Sequence, residues 1–347
     1  MPPLPLLRRP AASRALRLAA VSFLVLAAAA PAAAQAPRPV ALALNWLPGG
    51  AHVPLYFGQS EGIFRKAGLD VTLRPSRGSA EALRALGQGA QFALAEAAEV
   101  YAQRAGEAGG LVGILAYFPQ GGSAIISLRR PDLQRLPDLA GKVIGAPHAS
   151  YPRLLFPELR LGPAFDLGQV RWRNLSPDEL LPALLEGKVD AVAASALVAS
   201  QYRAAAELVK KDISVFPYAG AGVNPYGLVL VTTEDQIKRD SARVRAMAAA
   251  VAHAAAAALS RPGDALRAFQ KENPASPPAR SASEWEEAAK LIRPSARPAG
   301  LGRFDGARLE EFQALMAKLL DRRLDVPIGS VFTNRFLPGP APTPPKS

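Results

Sequence analysis

Short apolar runs alternate with amphipathic stretches along most of this 347-residue chain. The first run, 40–44, ends in Asn45 and Trp46. A Pro48-Gly49-Gly50 turn follows, and a helix-like segment begins near His52 and closes at Gly62. Further runs of strand length fall at 71–74, 92–95, 111–117, 123–128, 143–146, 169–174, 189–194, 213–218 and 228–232. Between them, the spacing of apolar positions predicts helices at 79–86, 96–105, 177–186 and 197–211. Ser79 is the expected cap of the first of these, and Ser176, Pro177 and Glu179 give the third a capping-box start. From Thr233 the pattern turns helical, with helices expected at 243–259, 264–271, 284–291 and 307–319 and a Pro/Ser-rich loop at 274–281. Strands alternating with helices predict an α/β fold with mostly parallel sheets. Two such units, joined near 128–131 and again near 228–232, imply two crossover strands. A ligand then sits between the units, where strand carboxyl ends meet helix N-termini.

The first 36 residues do not fit this scheme. Arg8, Arg9, Arg14 and Arg17 precede an apolar stretch at 18–30, and small residues follow, with cleavage expected after Ala34 or Ala36. This predicts a secretory signal peptide over 1–36. No later run reads as membrane-spanning, since the Ala-rich block at 247–259 has only the length of a core helix. The chain has no cysteine, which excludes a lipid-modified cysteine, a thiolate metal site and a thiol nucleophile. The expectation is a soluble, periplasmic protein that is not a lipoprotein. A 49% hydrophobic and 20% charged composition supports a sizeable core, with disorder expected only in the tail at 338–347. The formal charge of +12 falls by four without the leader arginines. The remaining arginines are scattered and not interleaved with aromatics, so nucleic acid is not an expected partner.

Candidate chemistry clusters at predicted strand ends. Trp46 either stacks on a planar ring or belongs to the core. His52, at a helix start, either hydrogen-bonds a ring nitrogen or carbonyl or serves as a cap. Tyr56 lies one turn later, on the same helical face. Glu96 can pair with an amino group or favour the following helix N-terminus. Phe118 and Gln120 end the next strand. Ser150 and Tyr151 enter a helix in the second unit, where hydroxyls and backbone N–H groups suit an anion, with a plain N-cap as the alternative. Ser195, Asn224 and Tyr226 border the same predicted cleft. His52, His148 and His253 are the only histidines and lack metal-ligand spacing. No phosphate loop or nucleophile elbow is present, so neither a cofactor nor a metal is expected.

Several of these segments, taken in order, resemble a known family. Leu44-Asn45-Trp46-Leu47-Pro48, Glu61-Gly62-Ile63-Phe64, Gly68-Leu69-Asp70-Val71, Asp138-Leu139-Ala140-Gly141-Lys142 and Leu185-Glu186-Gly187-Lys188-Val189-Asp190 are similar to the nitrate/sulfonate/taurine and thiamine-pyrimidine-precursor group of ABC-transporter solute-binding proteins. The ending Thr333-Asn334-Arg335-Phe336-Leu337-Pro338 looks most like the pyrimidine-precursor branch. The resemblance implies a type II periplasmic-binding fold, with lobe 1 at 37–128 plus 230–337 and lobe 2 at 129–229. It also implies a monomer that binds a small molecule in its cleft and delivers it to an ABC permease and its ATPase. Asn45 joins the ligand-binding candidates on this ground. A thiamine-related pyrimidine precursor leads, and a sulfonate, nitrate, taurine or riboflavin-type solute is the alternative. The related eukaryotic pyrimidine synthase is the enzymatic alternative. Its cysteine cluster has no counterpart here, and its cofactor lysine and substrate histidine fall near Ala95 and Ala98, so no enzyme activity is expected. Many of the binders have an acidic pair where this chain has Gly227-Leu228.

Overall fold

The apolar runs form ten strands in two sheets in the computed structural model, which describes residues 36–105, 110–148, 150–293, 301–320 and 326–338. The expected signal peptide apart from Ala36, and the expected tail apart from Pro338, lie outside the described residues. The chain starts with β1 (Arg38–Ala43), a 3-10 turn at Gly50–His52, α1 (Val53–Ser60), α2 (Ile63–Lys66), β2 (Leu69–Arg74), α3 (Ser79–Ala85), β3 (Phe92–Glu96), α4 (Ala97–Ala105) and β4 (Leu111–Ala116). It passes through 117–122 to β5 (Ser123–Leu128), β6 (Val143–Ala146), α5 (Tyr151–Leu155), β7 (Arg171–Asn174), α6 (Pro177–Leu185), β8 (Ala191–Ser195), α7 (Ala199–Leu208) and β9 (Ile213–Pro217). It returns through 218–227 to β10 (Leu228–Thr233), then α8 (Glu234–Arg239), α9 (Ser241–Ser260), α10 (Pro262–Glu272), α11 (Pro278–Ile292), α12 (Gly306–Leu319) and α13 (Ile328–Val331).

The strand orders are β2-β1-β3-β10-β4 and β7-β6-β8-β5-β9. In the first sheet β1 runs parallel to β2 and β3, whereas β10 is antiparallel to β3 and β4. The second sheet repeats the plan, with β5 as the antiparallel strand between β8 and β9. Each sheet therefore contains one strand contributed by a passage between the lobes. Here the structure corrects the expected boundary: β5 pairs in the second sheet, so the 123–128 run does not belong to lobe 1 and the passage lies one strand earlier. A strand covered on both faces reads as a plain apolar run, and such a run carries no mark of the sheet it joins.

Alternation in β1 separates two cores. Val40, Leu42 and the following Leu44 join a cluster with Phe57, Val251 and Phe269, while Ala41 and Ala43 join one with Leu83, Tyr101 and Phe312. Each fully buried side chain of Val, Leu or Phe size stabilises by about 1.5–3 kcal/mol. The Ala-rich block sits in α9, which by length and composition alone could cross a membrane, contrary to the reading of the sequence. In the fold its Met247, Val251, Ala254 and Ala258 are buried, and its small side chains let α1 approach closely. A Cβ on Gly58 would lie 2.8 Å from the Cβ of Ala254.

Helix starts differ from expectation where local chemistry was ambiguous. Gly78, at φ +137, holds the cap position of α3, and Ser79 Oγ instead accepts the backbone N–H of Glu96 at 2.9 Å. α11 begins at Pro278, inside the expected loop, because Pro277 supplies an extended cap and proline suits the first helical turn. The expected capping at α6 is present in part: the Ser176 N–H donates to Glu179 Oε2 at 2.7 Å.

Candidate functional site

Residues at or just beyond the carboxyl ends of β1, β3, β6 and β8 line three neighbouring cavities, all of which include Ser195. Parallel strands bring these ends together, which is why an α/β sheet offers its ligand site there. A larger groove, about 750 Å³, runs along 83–91 and 233–239, at the opposite end of the first sheet. It is therefore not the candidate.

The central cavity, about 430 Å³, lies between Ser79 and Glu96 of lobe 1 and Ser123, Tyr151 and Ser195 of lobe 2, with Gly121 and Gly122 of the first passage beside them. Glu96 ends β3. Burial raises its carboxyl from the ordinary 4.5 to about 7. Burial, and then the charge of Glu96, hold the Tyr151 phenol above its usual value. The Tyr151 hydroxyl and Ser150 Oγ are buried and have no hydrogen-bond partner among the described residues. Ser150 lines the adjoining cavity of about 600 Å³ with Pro147 and Gln201. Ser195 Oγ accepts the Leu197 N–H at 3.3 Å, a cap that leaves its hydroxyl hydrogen free to donate. No Lys, Arg or His is among the described residues lining the central cavity, whereas Glu96 and Glu99 both are.

The third cavity, about 220 Å³, holds Asn45, Trp46 and His52 against Val198 and Gln201 of lobe 2 and Arg280 and Glu284 of α11. Trp46 is 55% exposed, so it is a cavity wall and not a core residue. His52 is buried, with both ring nitrogens engaged: Nδ1 accepts the Gly49 N–H at 3.2 Å, and Nε2 lies 3.0 Å from Asn45 Oδ1. Burial lowers its pKa to about 4. The turn is pressed against α11, where the Gly50 N–H donates to Glu284 Oε2 at 3.1 Å. A Cβ at Gly50 would fall 2.2 Å from the Glu284 carbonyl carbon, so only glycine allows this approach.

Four candidates are placed elsewhere. Tyr56 packs edge-on against Phe269 at 5.3 Å in the lobe 1 core. Phe118 is buried and stacked on Tyr117 at 5.2 Å. Gln120 Nε2 donates to the Lys290 and Arg293 carbonyls at 3.0 and 2.9 Å, holding the end of α11. Asn224 Oδ1 accepts the Gly121 N–H at 2.9 Å and so ties the two passages together. Their polar or aromatic character at strand ends suggested ligand contact, but packing and backbone satisfaction already account for them. Tyr226 is intermediate: it touches the central cavity, yet its hydroxyl accepts the Asp305 N–H at 2.7 Å and Arg308 lies over its ring. Ser79 and Ser123 were missed. Ser123 opens an antiparallel strand, so its N-terminal end, not its carboxyl end, faces the cleft.

A family model described as NMT1/THI5 like matches residues 50–265. No curated protein matches the chain. Among solved structures, the periplasmic aliphatic sulphonate binding protein SsuA from Escherichia coli aligns at TM-score 0.62 and 15% identity, over 84% of this chain and 91% of that one. A ligand binding component of an ABC-type import system from Staphylococcus aureus aligns at 0.63 and 14%, over 86% and 97%. A Candida albicans gene product described as having the generic periplasmic binding protein fold aligns at 0.56 and 15%, over 86% and 96%. At these identities the likeness establishes the fold, which is the two-lobed periplasmic-binding one.

Proposed function

The chain belongs to the NMT1/THI5-like family, and from that premise we propose that it is the solute-binding component of an ABC importer. Exported to the periplasm, it takes a small solute between its lobes and presents it to a membrane permease driven by an ATPase. The lobes close by hinge motion at 117–122 and 218–227, the two stretches that join the sheets.

One observation carries the choice of solute. The central cavity offers carboxyl and hydroxyl groups and no cationic side chain among its described residues. A sulfonate, the ligand class named for the Escherichia coli neighbour, would bring negative charge beside Glu96. An amino-bearing planar solute would instead donate to that carboxylate and favour its charged form. This supports a thiamine-related pyrimidine precursor, with its ring against Trp46 and its amino group toward Glu96. Ala95 is buried and Ala98 borders the cavity, so neither supplies a nucleophile or base, which supports binding over turnover.

A thermal-shift screen tests the reading across amino-pyrimidines, riboflavin, sulfonates and nitrate. A true solute at a hundred times its Kd adds about 2.7 kcal/mol. Stabilisation by a sulfonate or nitrate with none by any amino-pyrimidine would overturn the choice of solute.

A further inference from the structure

Asn45 stands at the end of β1 beside Trp46, and its amide can face either way unless something holds it. The hydrogen bonds around His52 hold it. A backbone N–H can only donate, so the Gly49 N–H at 3.2 Å makes His52 Nδ1 an acceptor without a proton. The neutral ring must then carry its proton on Nε2, and that N–H donates to Asn45 Oδ1 at 3.0 Å. His52 is 2% exposed, and neither ring nitrogen is hydrogen-bonded to a carboxylate among the described residues. A flipped Asn45 would set its NH2 against the imidazole N–H, donor against donor. With Oδ1 held by His52, the Asn45 NH2 is the group left for the cavity, and it makes no hydrogen bond to the described residues.

We infer that His52 is a positioning residue: its Nε2–H fixes Asn45 so that the Asn45 amide donates to an acceptor on the solute, a ring nitrogen or carbonyl oxygen lying against Trp46. His52 thus acts one step behind the ligand and does not touch it. The cleft has two chemical ends, a fixed donor at Asn45 and a carboxyl at Glu96, and Ser195 borders both cavities. This deepens the solute reading above and rests on it for the identity of the solute.

Two measurements on the full chain test it. The first needs no solute: nitrogen-15 NMR of the imidazole should show a proton on Nε2 alone from about pH 5 to pH 8. A proton on Nδ1 would overturn the inference. The second uses isothermal titration with 4-amino-2-methylpyrimidine and with 3-methylaniline, a ring of similar shape without ring nitrogens. The parent should prefer the pyrimidine by about tenfold or more, the worth of one hydrogen bond. His52→Leu and Asn45→Leu should lose that preference, and His52→Gln, which can still accept from Gly49 and donate to Asn45, should keep most of it. A His52→Leu protein that keeps the full preference would also overturn the inference. If the parent binds neither probe, the solute reading fails, and the imidazole spectrum still decides how Asn45 is held.

Discussion

Replacing Glu96 by Gln removes one ionisable group from the wall of the cleft and keeps its shape. In the folded protein burial raises this carboxyl to about 7 from an ordinary 4.5. That difference is worth about 3.5 kcal/mol at about 1.4 kcal/mol per pH unit, and it is an upper figure because the group borders a cavity. The folded state holds the proton more tightly than the unfolded chain. The contribution of Glu96 to stability is therefore greatest below about 4.5, falls as the pH rises, and is fully lost once the pH passes about 7. Glu96→Gln is neutral at every pH and escapes this loss. Urea midpoints of the two proteins at pH 5, 6, 7 and 8 should diverge, with the variant gaining about 1–3 kcal/mol on the parent between the extremes. The comparison cancels the titration of every other group. A difference that stays flat from pH 5 to pH 8 would refute the reasoning, because the carboxyl would then be ionised in the folded protein as readily as in water. The same variant should bind an amino-pyrimidine more weakly, since it keeps a hydrogen-bond acceptor and loses the charge.

Three further outcomes follow from the geometry. Trp46→Ala should weaken solute binding about tenfold or more while changing stability by less than about 0.5 kcal/mol, because the ring is largely exposed; calorimetric titration beside a melting curve separates the two effects. Gly50→Ala should destabilise by about 2 kcal/mol or more in chemical denaturation, since its methyl group would overlap the backbone of Glu284 and Trp285. Arg308→Met should cost about 2 kcal/mol in the same assay: one guanidinium nitrogen donates to the Pro119 carbonyl at 2.7 Å and the Asn224 carbonyl at 2.9 Å, one in each passage between the lobes. Arg308→Lys should recover little, because an ammonium lacks the planar group that lies over the Tyr226 ring.

The order of strands and helices was legible because hydrophobic spacing is a local property. The run at 92–95, the capped start at Ser176 and the turn at Gly187 each announce themselves within a few residues. The places of Glu96 and Ser195 on the cavity wall were legible for the same reason, since each stands at the end of a recognisable strand. Tyr56 was not: one helical face cannot tell whether it meets a ligand or the Phe269 ring, which lies more than two hundred residues further along. Gln120 and Asn224 failed as ligand candidates because their partners are the end of α11 and the opposite passage, neither of which is marked nearby in the chain.

Reading the residues alone therefore reached the α/β class, the two units and the family, and it named eight of the residues that line the three cavities. Those depend on short-range periodicity and on segments whose order survives without coordinates. Folding in three dimensions assigned β5 to the second sheet, buried His52 with its Nε2 3.0 Å from Asn45 Oδ1, and set no Lys, Arg or His among the described residues lining the central cavity. These outcomes depend on which distant segments exclude water from one another, and burial, proton position and hydrogen-bond direction are properties of that assembled environment, not of any residue type.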